Sequence, residues 1–70
     1  MSNLLPQRFK DEVLSMPEYR QGTNRISVRL KDGRVYSAVY VAWGDEIVRV
    51  GDLRHIPFSG EDVASVANDL

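Results

Sequence analysis

The chain has 70 residues, the size of one small domain, so we expect residues 1–70 to fold as a single unit. It contains no cysteine and one histidine, which excludes disulfides, Cys-thiolate metal sites and His clusters, and we expect no cofactor. Nine Lys and Arg residues nearly balance ten Asp and Glu residues, whereas compact nucleic-acid binders usually carry a basic excess.

So small a domain buries only about 60% of the surface of its unfolded chain, so its core is marginal. Without disulfides or a metal, self-association is the remaining way to stabilise it, and we expect a homo-oligomer. The first charge is Arg8, and no apolar run approaches the roughly 20 residues that span a membrane. We therefore expect a cytoplasmic protein without a membrane partner.

Residues 5–16 predict an amphipathic helix. Its apolar residues share the spacing of one helical face: Leu5, Phe9, Val13 and Met16. Pro6 suits the first helical turn, and Pro17 ends the helix. A helix of about three turns is marginal in isolation, so it must dock on the rest of the domain.

Residues 25–50 predict a meander of three antiparallel strands. Asp32-Gly33 is a strong signal for a two-residue type I′ turn, and Gly44-Asp45 allows a second tight turn. The resulting register makes these pairs: Lys31 with Arg34, Leu30 with Val35, Arg25 with Tyr40, Tyr40 with Arg49, and Val41 with Val48.

This register divides the strand residues between two faces. The apolar face holds Ile26, Val28, Leu30, Val35, Val39, Val41, Val48 and Val50, interrupted by Ser37. The polar face holds Arg25, Ser27, Arg29, Lys31, Arg34, Tyr36, Ala38, Tyr40, Ala42, Ile47 and Arg49. Because both turns place the apolar residues on the same side, the two registers agree and predict one buried face.

Residues 53–58 predict a fourth strand, with Ile56 and Phe58 on one face and Pro57 marking it as an edge. The last segment, SGEDVASVANDL, has two interpretations. Helical spacing connects Val63, Val66, Ala67 and Leu70. Alternatively, SGED forms a one-turn corner and VASVA a short fifth strand. We favour the strand, because five strands can bend round and bury the apolar layer.

This order of elements, centred on ISVRLKDGRVYSAVYVAW, resembles the Sm-like small β-barrel family. The segment is similar to the family's first motif, which has a hydrophobic strand, an L-x-D-G-R turn and a long bent second strand. IPFSGEDVASV resembles the segment that closes the barrel. The expected fold is mainly β: an N-terminal α-helix over residues 5–16, then a strongly bent meander of four or five antiparallel strands, an Sm-like or SH3-like barrel over residues 25–67.

The chain departs from the family pattern in the regions associated with nucleotide binding and strand bending. Ser37 and Ala38 stand where the second strand usually has glycine, and the loop WGDE lacks the asparagine of the base-binding loop. Residues 54–57, RHIP, replace the Arg/Lys-Gly pair of the second motif. The resemblance therefore implies a barrel and ring-like assembly by edge-strand pairing, without the family's nucleotide pocket.

The polar sheet face is the first candidate surface. Its arginine and tyrosine residues are Arg25, Arg29, Arg34, Tyr36, Tyr40 and Arg49. Such residues could stack bases and neutralise phosphates of RNA or single-stranded DNA. The same pairs also stabilise a sheet without any ligand, and the helix could instead cover Tyr36, Tyr40 and Ile47. A structural face, a protein interface and a nucleic-acid surface all remain open.

The second candidate is a protein interface near the turn after the second strand and along the predicted fourth strand, formed by Trp43, His55, Ile56 and Phe58. An exposed Trp43 would anchor a partner, or it could fold over the open end of the barrel. His55 has no Ser or Cys partner that the sequence places beside it, and no phosphate loop or dinucleotide motif is present, so we expect no enzyme.

Two functional hypotheses follow from these surfaces. The leading one is a non-enzymatic, homo-oligomeric scaffold for protein interactions. The alternative is an RNA or single-stranded nucleic-acid binder that uses the Arg/Tyr face.

Overall fold

A computed structural model describes residues 3–70. A 3-10 turn (Gln7–Phe9) leads into the helix α1 (Lys10–Leu14), and a second 3-10 turn (Gly60–Asp62) precedes the last strand. The four strands are β1 (Thr23–Leu30), β2 (Val35–Ala42), β3 (Glu46–Val50) and β4 (Val63–Asn68). They form one antiparallel sheet in the order β3-β2-β1-β4, so the mainly-β class is confirmed, but the sheet is open and does not close into a barrel.

The N-terminal helix is shorter than predicted, but its apolar face is correct. Leu5, Phe9 and Val13 are buried, and Met16 packs against the same core as the apolar residues of the sheet. The helix therefore covers the apolar layer, and the alternative that placed it over Tyr40 on the polar face does not hold. No helix in residues 3–70 is long and apolar enough to cross a membrane.

The turn between β1 and β2 has three residues rather than two. The Leu30 N–H donates to the Arg34 carbonyl at 2.7 Å, and the Gly33 N–H donates back to the Leu30 carbonyl at 2.9 Å. Gly33 has φ +94°, as expected for a turn that ends on a left-handed residue. The predicted two-residue turn, and the pairs Lys31–Arg34 and Leu30–Val35, were therefore wrong by one residue.

A β-bulge in β2 corrects this one-residue shift. The register changes between the pairs Val28–Tyr36 and Ile26–Val39, so β2 contains one extra residue, and Ala38 adopts a left-handed φ of +53°. The pairing of residues 25 and 40 is consequently as predicted. Between the turn and the bulge the faces are exchanged: Val35 is 58% exposed, and Tyr36 packs against the core.

A second register shift, between β2 and β3, exchanges two neighbouring side chains. The shift lies between the pairs Tyr40–Arg49 and Val41–Ile47. Ile47 is consequently buried in the core and Val48 is 51% exposed, the reverse of the prediction. The physical cause is again an extra turn residue, which a bulge farther along the strand compensates.

The C-terminal segment forms the strand that the sequence favours. Residues 60–62 make a one-turn corner, and β4 pairs antiparallel with β1. The predicted fourth strand is absent, because residues 53–58 have no strand pairing. The Leu53 N–H donates to the Val50 carbonyl in a tight turn, and Phe58 inserts into the core instead of lining an edge.

The N-terminal segment lies beside β3, where a fourth strand was predicted. The Leu5 N–H donates to the Asp45 carbonyl at 2.7 Å, and the Ile47 N–H donates to the Asn3 carbonyl at 2.8 Å. Leu4 forms an antiparallel bridge with Glu46, and its carbonyl lies against buried Gly60 at the corner before β4. This segment thus links β3 to the start of β4.

Asn24 is a buried polar residue on the core side of β1. Its side-chain amide donates to the carbonyls of Met16 and Pro17, at 3.2 and 3.3 Å. These two contacts hold the end of the helical segment against the sheet. The predicted strands begin at residue 25, so sequence reasoning left Asn24 outside the sheet and missed this role.

We predict that Asn24→Asp destabilises the fold in a pH-dependent way. At pH 7 a carboxylate facing two carbonyls should lower the free energy of unfolding by about 1–3 kcal/mol. Because the folded state disfavours the charged form, the folded-state pKa of the new carboxyl is raised. The loss relative to the native chain should therefore shrink as the pH falls toward the ordinary carboxyl pKa of about 3.9.

Urea denaturation at several pH values would measure this effect, with Asn24→Ala as the control. The control should lose stability by an amount that does not depend on pH. Equal, pH-independent losses in both variants would contradict the proposed amide–carbonyl contacts.

Candidate binding surfaces

A row of cationic and aromatic side chains crosses three strands on the polar face. Arg25 on β1 pairs with Tyr40 on β2, which pairs with Arg49 on β3, as predicted. The Arg49 guanidinium carbon lies 5.4 Å from the centre of the Tyr40 ring, within the range of a cation–π contact.

Two residues of the loop before β1 extend this row. The Tyr19 ring meets the Tyr40 ring edge-on, with the centres 5.2 Å apart, and the guanidinium groups of Arg20 and Arg25 lie 5.5 and 5.7 Å from the Tyr19 ring centre. We call these residues the Tyr–Arg cluster: Tyr19, Arg20, Arg25, Tyr40 and Arg49. Sequence reasoning missed Tyr19 and Arg20, because a loop has no strand register from which to infer which face they join.

The arginines of the cluster already have partners inside the chain. The Arg25 Nε donates to the Asp69 carbonyl at 2.7 Å and lies 3.9 Å from the Asp69 carboxylate. Arg49 donates to the Gly51 carbonyl at 2.8 Å and lies 3.5 Å from the Asp52 carboxylate. A phosphate would have to compete with these groups, and a base would have to displace a guanidinium group from each ring it stacked on.

Asp69 also fastens the bulge of β2. Its Oδ2 accepts a hydrogen bond from the Ala38 N–H at 2.8 Å, and its own N–H donates to the Arg25 carbonyl at 3.1 Å. The Asp69 carboxylate thus accepts a hydrogen bond from a backbone N–H that the bulge leaves without a strand partner. The same carboxylate also faces the Arg25 side chain.

The other predicted nucleic-acid residues do not join the cluster. Arg34 binds Asp32 within the first turn, with an Nε–Oδ2 distance of 2.8 Å. The backbone N–H of Arg34, together with its guanidinium, lowers the pKa of Asp32. Tyr36 lies on the opposite side of the sheet, 5.2 Å from the Phe58 ring. Arg29 shares the polar face but makes no side-chain ion pair or hydrogen bond within residues 3–70.

The predicted protein interface is not a single surface. Trp43 is 67% exposed, but its ring rests on Gly22, where an added Cβ would lie 2.7 Å from the indole Cη2. His55 lines a shallow depression with Val48 and Ile56 beside the other end of β3. Phe58 is buried in the core, so its assignment to an interface was wrong.

The outer edge of β3 is covered by other parts of the chain. The hydrogen bond from Ile47 to Asn3 and that from Leu53 to Val50 occupy backbone groups that face away from β2. Glu46 and Arg49 add charges of both signs to this strand, a further protection against pairing with another chain.

The outer edge of β4 lacks such protection. Because the Asp69 N–H donates to Arg25 on β1, strand alternation turns the N–H groups of Val66 and Asn68 away from β1. Within residues 3–70 these two N–H groups have no hydrogen-bond acceptor. The strand, VASVAN, has no charge and no proline, the usual means of protecting an edge. We call the outward backbone of Val66–Asn68 the open edge.

No family model, curated protein or solved structure matches the chain. Its function must therefore be inferred from these surfaces.

We predict that the Asp69 carboxylate stabilises the sheet. Asp69→Ala should lower the free energy of unfolding by about 1–2 kcal/mol, because the Ala38 N–H loses its acceptor. Asp52→Ala removes an exposed partner of Arg49 and should change stability by less than about 0.5 kcal/mol. Chemical denaturation of both variants would test this, and equal losses would contradict the role of Asp69 at the bulge.

Proposed function

We propose that this protein is a non-enzymatic interaction module that assembles with copies of itself through the open edge of β4. The observation that carries the proposal is the contrast between the two sheet edges. The edge of β3 is covered by residues 3–5 and by the turn at Leu53, whereas the edge of β4 exposes uncharged, unpaired backbone.

The physics of a small sheet supports self-association. An unpaired strand edge is a template for pairing with another chain, and main-chain hydrogen bonds supply the affinity. The domain has no disulfide and a small core, so burying more of this edge would add stability that the monomer lacks. The Sm-like resemblance of residues 26–43 points in the same direction, because that family assembles through edge strands.

Single-stranded nucleic acid is the second candidate ligand, and the Tyr–Arg cluster favours it. Two tyrosines and three arginines converge on one face, and Tyr19 is partly exposed. Two of the three arginines face carboxylates, however, which reduces the positive potential available to phosphates. We therefore rank this function below self-assembly.

We predict that the native chain is oligomeric and that Asn68→Pro makes it monomeric. Proline removes the outward N–H of Asn68 while the ladder to β1, made through residues 65, 67 and 69, is retained. Asn68→Ala removes the same side chain, including its hydrogen bond to the Leu70 N–H, but keeps the backbone donor. It should remain oligomeric.

Light scattering behind size exclusion, at several protein concentrations, would give the mass of each form, with circular dichroism confirming that the variants are folded. A native chain that stays monomeric at the highest concentration would contradict the proposal. So would a folded Asn68→Pro variant with the native oligomer mass.

We predict weak binding of single-stranded RNA or DNA at physiological salt. A fluorescence-anisotropy titration with labelled oligonucleotides at two salt concentrations would measure it. Tight binding that falls steeply with salt and weakens by roughly 1–3 kcal/mol in Tyr40→Ala would make nucleic acid the preferred function. Tyr36→Ala is the control, because that side chain lies on the core side of the sheet.

A further inference from the structure

We infer that two copies of this chain pair β4 against β4 in antiparallel fashion, around a two-fold axis that passes beside Ala67. This inference rests on the proposed function, because it presupposes that the open edge self-associates. It adds the number of subunits, the symmetry and the residue contacts.

The number of open edges determines the symmetry. A ring or filament needs two different complementary edges on each subunit, whereas an isologous contact needs one self-complementary edge. Within residues 3–70 β3 is covered, and β4 alone presents a free ladder. Pairing through a single edge uses that edge on both subunits, so the assembly closes at a dimer and does not form the ring that the Sm-like resemblance implies.

The outward backbone groups determine the register. When two antiparallel copies of β4 place Val66 opposite Asn68 of the partner subunit, both residues can exchange N–H···O bonds. The two-fold axis generates the equivalent pair, in which Asn68 lies opposite Val66 of the partner subunit. Ala67 then faces Ala67 of the partner subunit as a non-hydrogen-bonded pair, in which the Cα atoms lie about 4.5 Å apart.

Neighbouring registers offer fewer regular contacts. Moving the axis to Val66 would require the backbone of Ala64, but this residue belongs to a bulge against β1. Moving the axis to Asn68 would pair Val66 with Leu70 of the partner subunit, beyond the end of β4, and the Leu70 N–H already donates to the Asn68 side chain of its own chain. In the register centred on Ala67, Val66 and Asn68 of both subunits form hydrogen bonds across the interface, and neither residue belongs to a bulge.

Side-chain size and charge are compatible with this pairing. Ala67 and Ser65 are small and exposed, so neither blocks the approach of a second strand on the polar face. Ser65 would lie opposite Asp69 of the partner subunit, so no two like charges face each other directly. Within its own chain, the Asp69 carboxylate is held by the Ala38 N–H and by Arg25.

The dimer would contain one continuous eight-stranded sheet, with four strands from each copy. Its two polar faces would join across the axis into a single surface. The Arg29 side chains, which have no ionic partner within residues 3–70, would border the middle of that surface from both sides.

Disulfide trapping tests the register, since the native chain has no cysteine that could interfere. In Ala67→Cys, the two thiols lie across the axis, within the roughly 4.4–6.8 Å Cα separation that a disulfide requires. In the control Ser65→Cys, the two thiols are offset by four residues, or about 13 Å along the strand, and cannot meet. Mild oxidation followed by a non-reducing gel and mass spectrometry would report the cross-linked fraction.

We expect Ala67→Cys to be mostly cross-linked and Ser65→Cys to remain almost entirely uncross-linked. The inference is overturned if Ser65→Cys cross-links as well as Ala67→Cys. It is also overturned if mixed Ser65→Cys and Ala67→Cys chains prefer the mixed disulfide, which would move the axis to Val66.

Light scattering on the native chain separates the two possible failures. A monomer would overturn both the proposed function and this inference. A native dimer, or a larger oligomer, whose Ala67→Cys variant assembles normally but does not cross-link would overturn this inference alone.

Discussion

The bulge in β2 determines which side chains of the hairpin reach the core and which reach the polar face. Without the extra residue near Ala38, the three-residue turn would leave the Arg25–Tyr40 pair out of register. The left-handed φ of Ala38 costs energy for a residue with a Cβ, and the Asp69 carboxylate offsets it by accepting the freed Ala38 N–H. The Tyr–Arg cluster and the packing of Tyr36 both depend on this feature.

The N-terminal segment decides how the sheet can interact with other molecules. By pairing with β3 and resting on Gly60, residues 3–5 cover one edge and fill the position where a fourth strand was expected. Since the open edge of β4 stays free, a further strand can be added to the sheet on that side alone. The same short segment therefore adds backbone hydrogen bonds to the sheet and, in the assembly proposed above, leaves β4 as the edge that pairs.

The arginines of the polar face are less available to a ligand than their number suggests. The guanidinium groups of the Tyr–Arg cluster contact carboxylates and tyrosine rings of the same chain. Much of the arginine charge therefore stabilises contacts between loops and strands. Arg29 differs, because in the part of the chain that the structure describes it forms no ion pair with a carboxylate and no cation–π contact with a ring. This charge pairing is the reason that we rank nucleic-acid binding below self-assembly.

The sequence by itself determined the local features of this protein: the N-terminal helical segment with its apolar face, the three strands of the meander, the corner before β4, and the row Arg25–Tyr40–Arg49. These follow from hydrophobic period and turn chemistry, which depend on near neighbours. Only the tertiary structure decided the turn lengths, both bulges in the meander, the burial of Ile47 instead of Val48, the covering of β3 and the place of Tyr19. Each of these depends on contacts between residues distant in the chain, whose energies no local pattern contains.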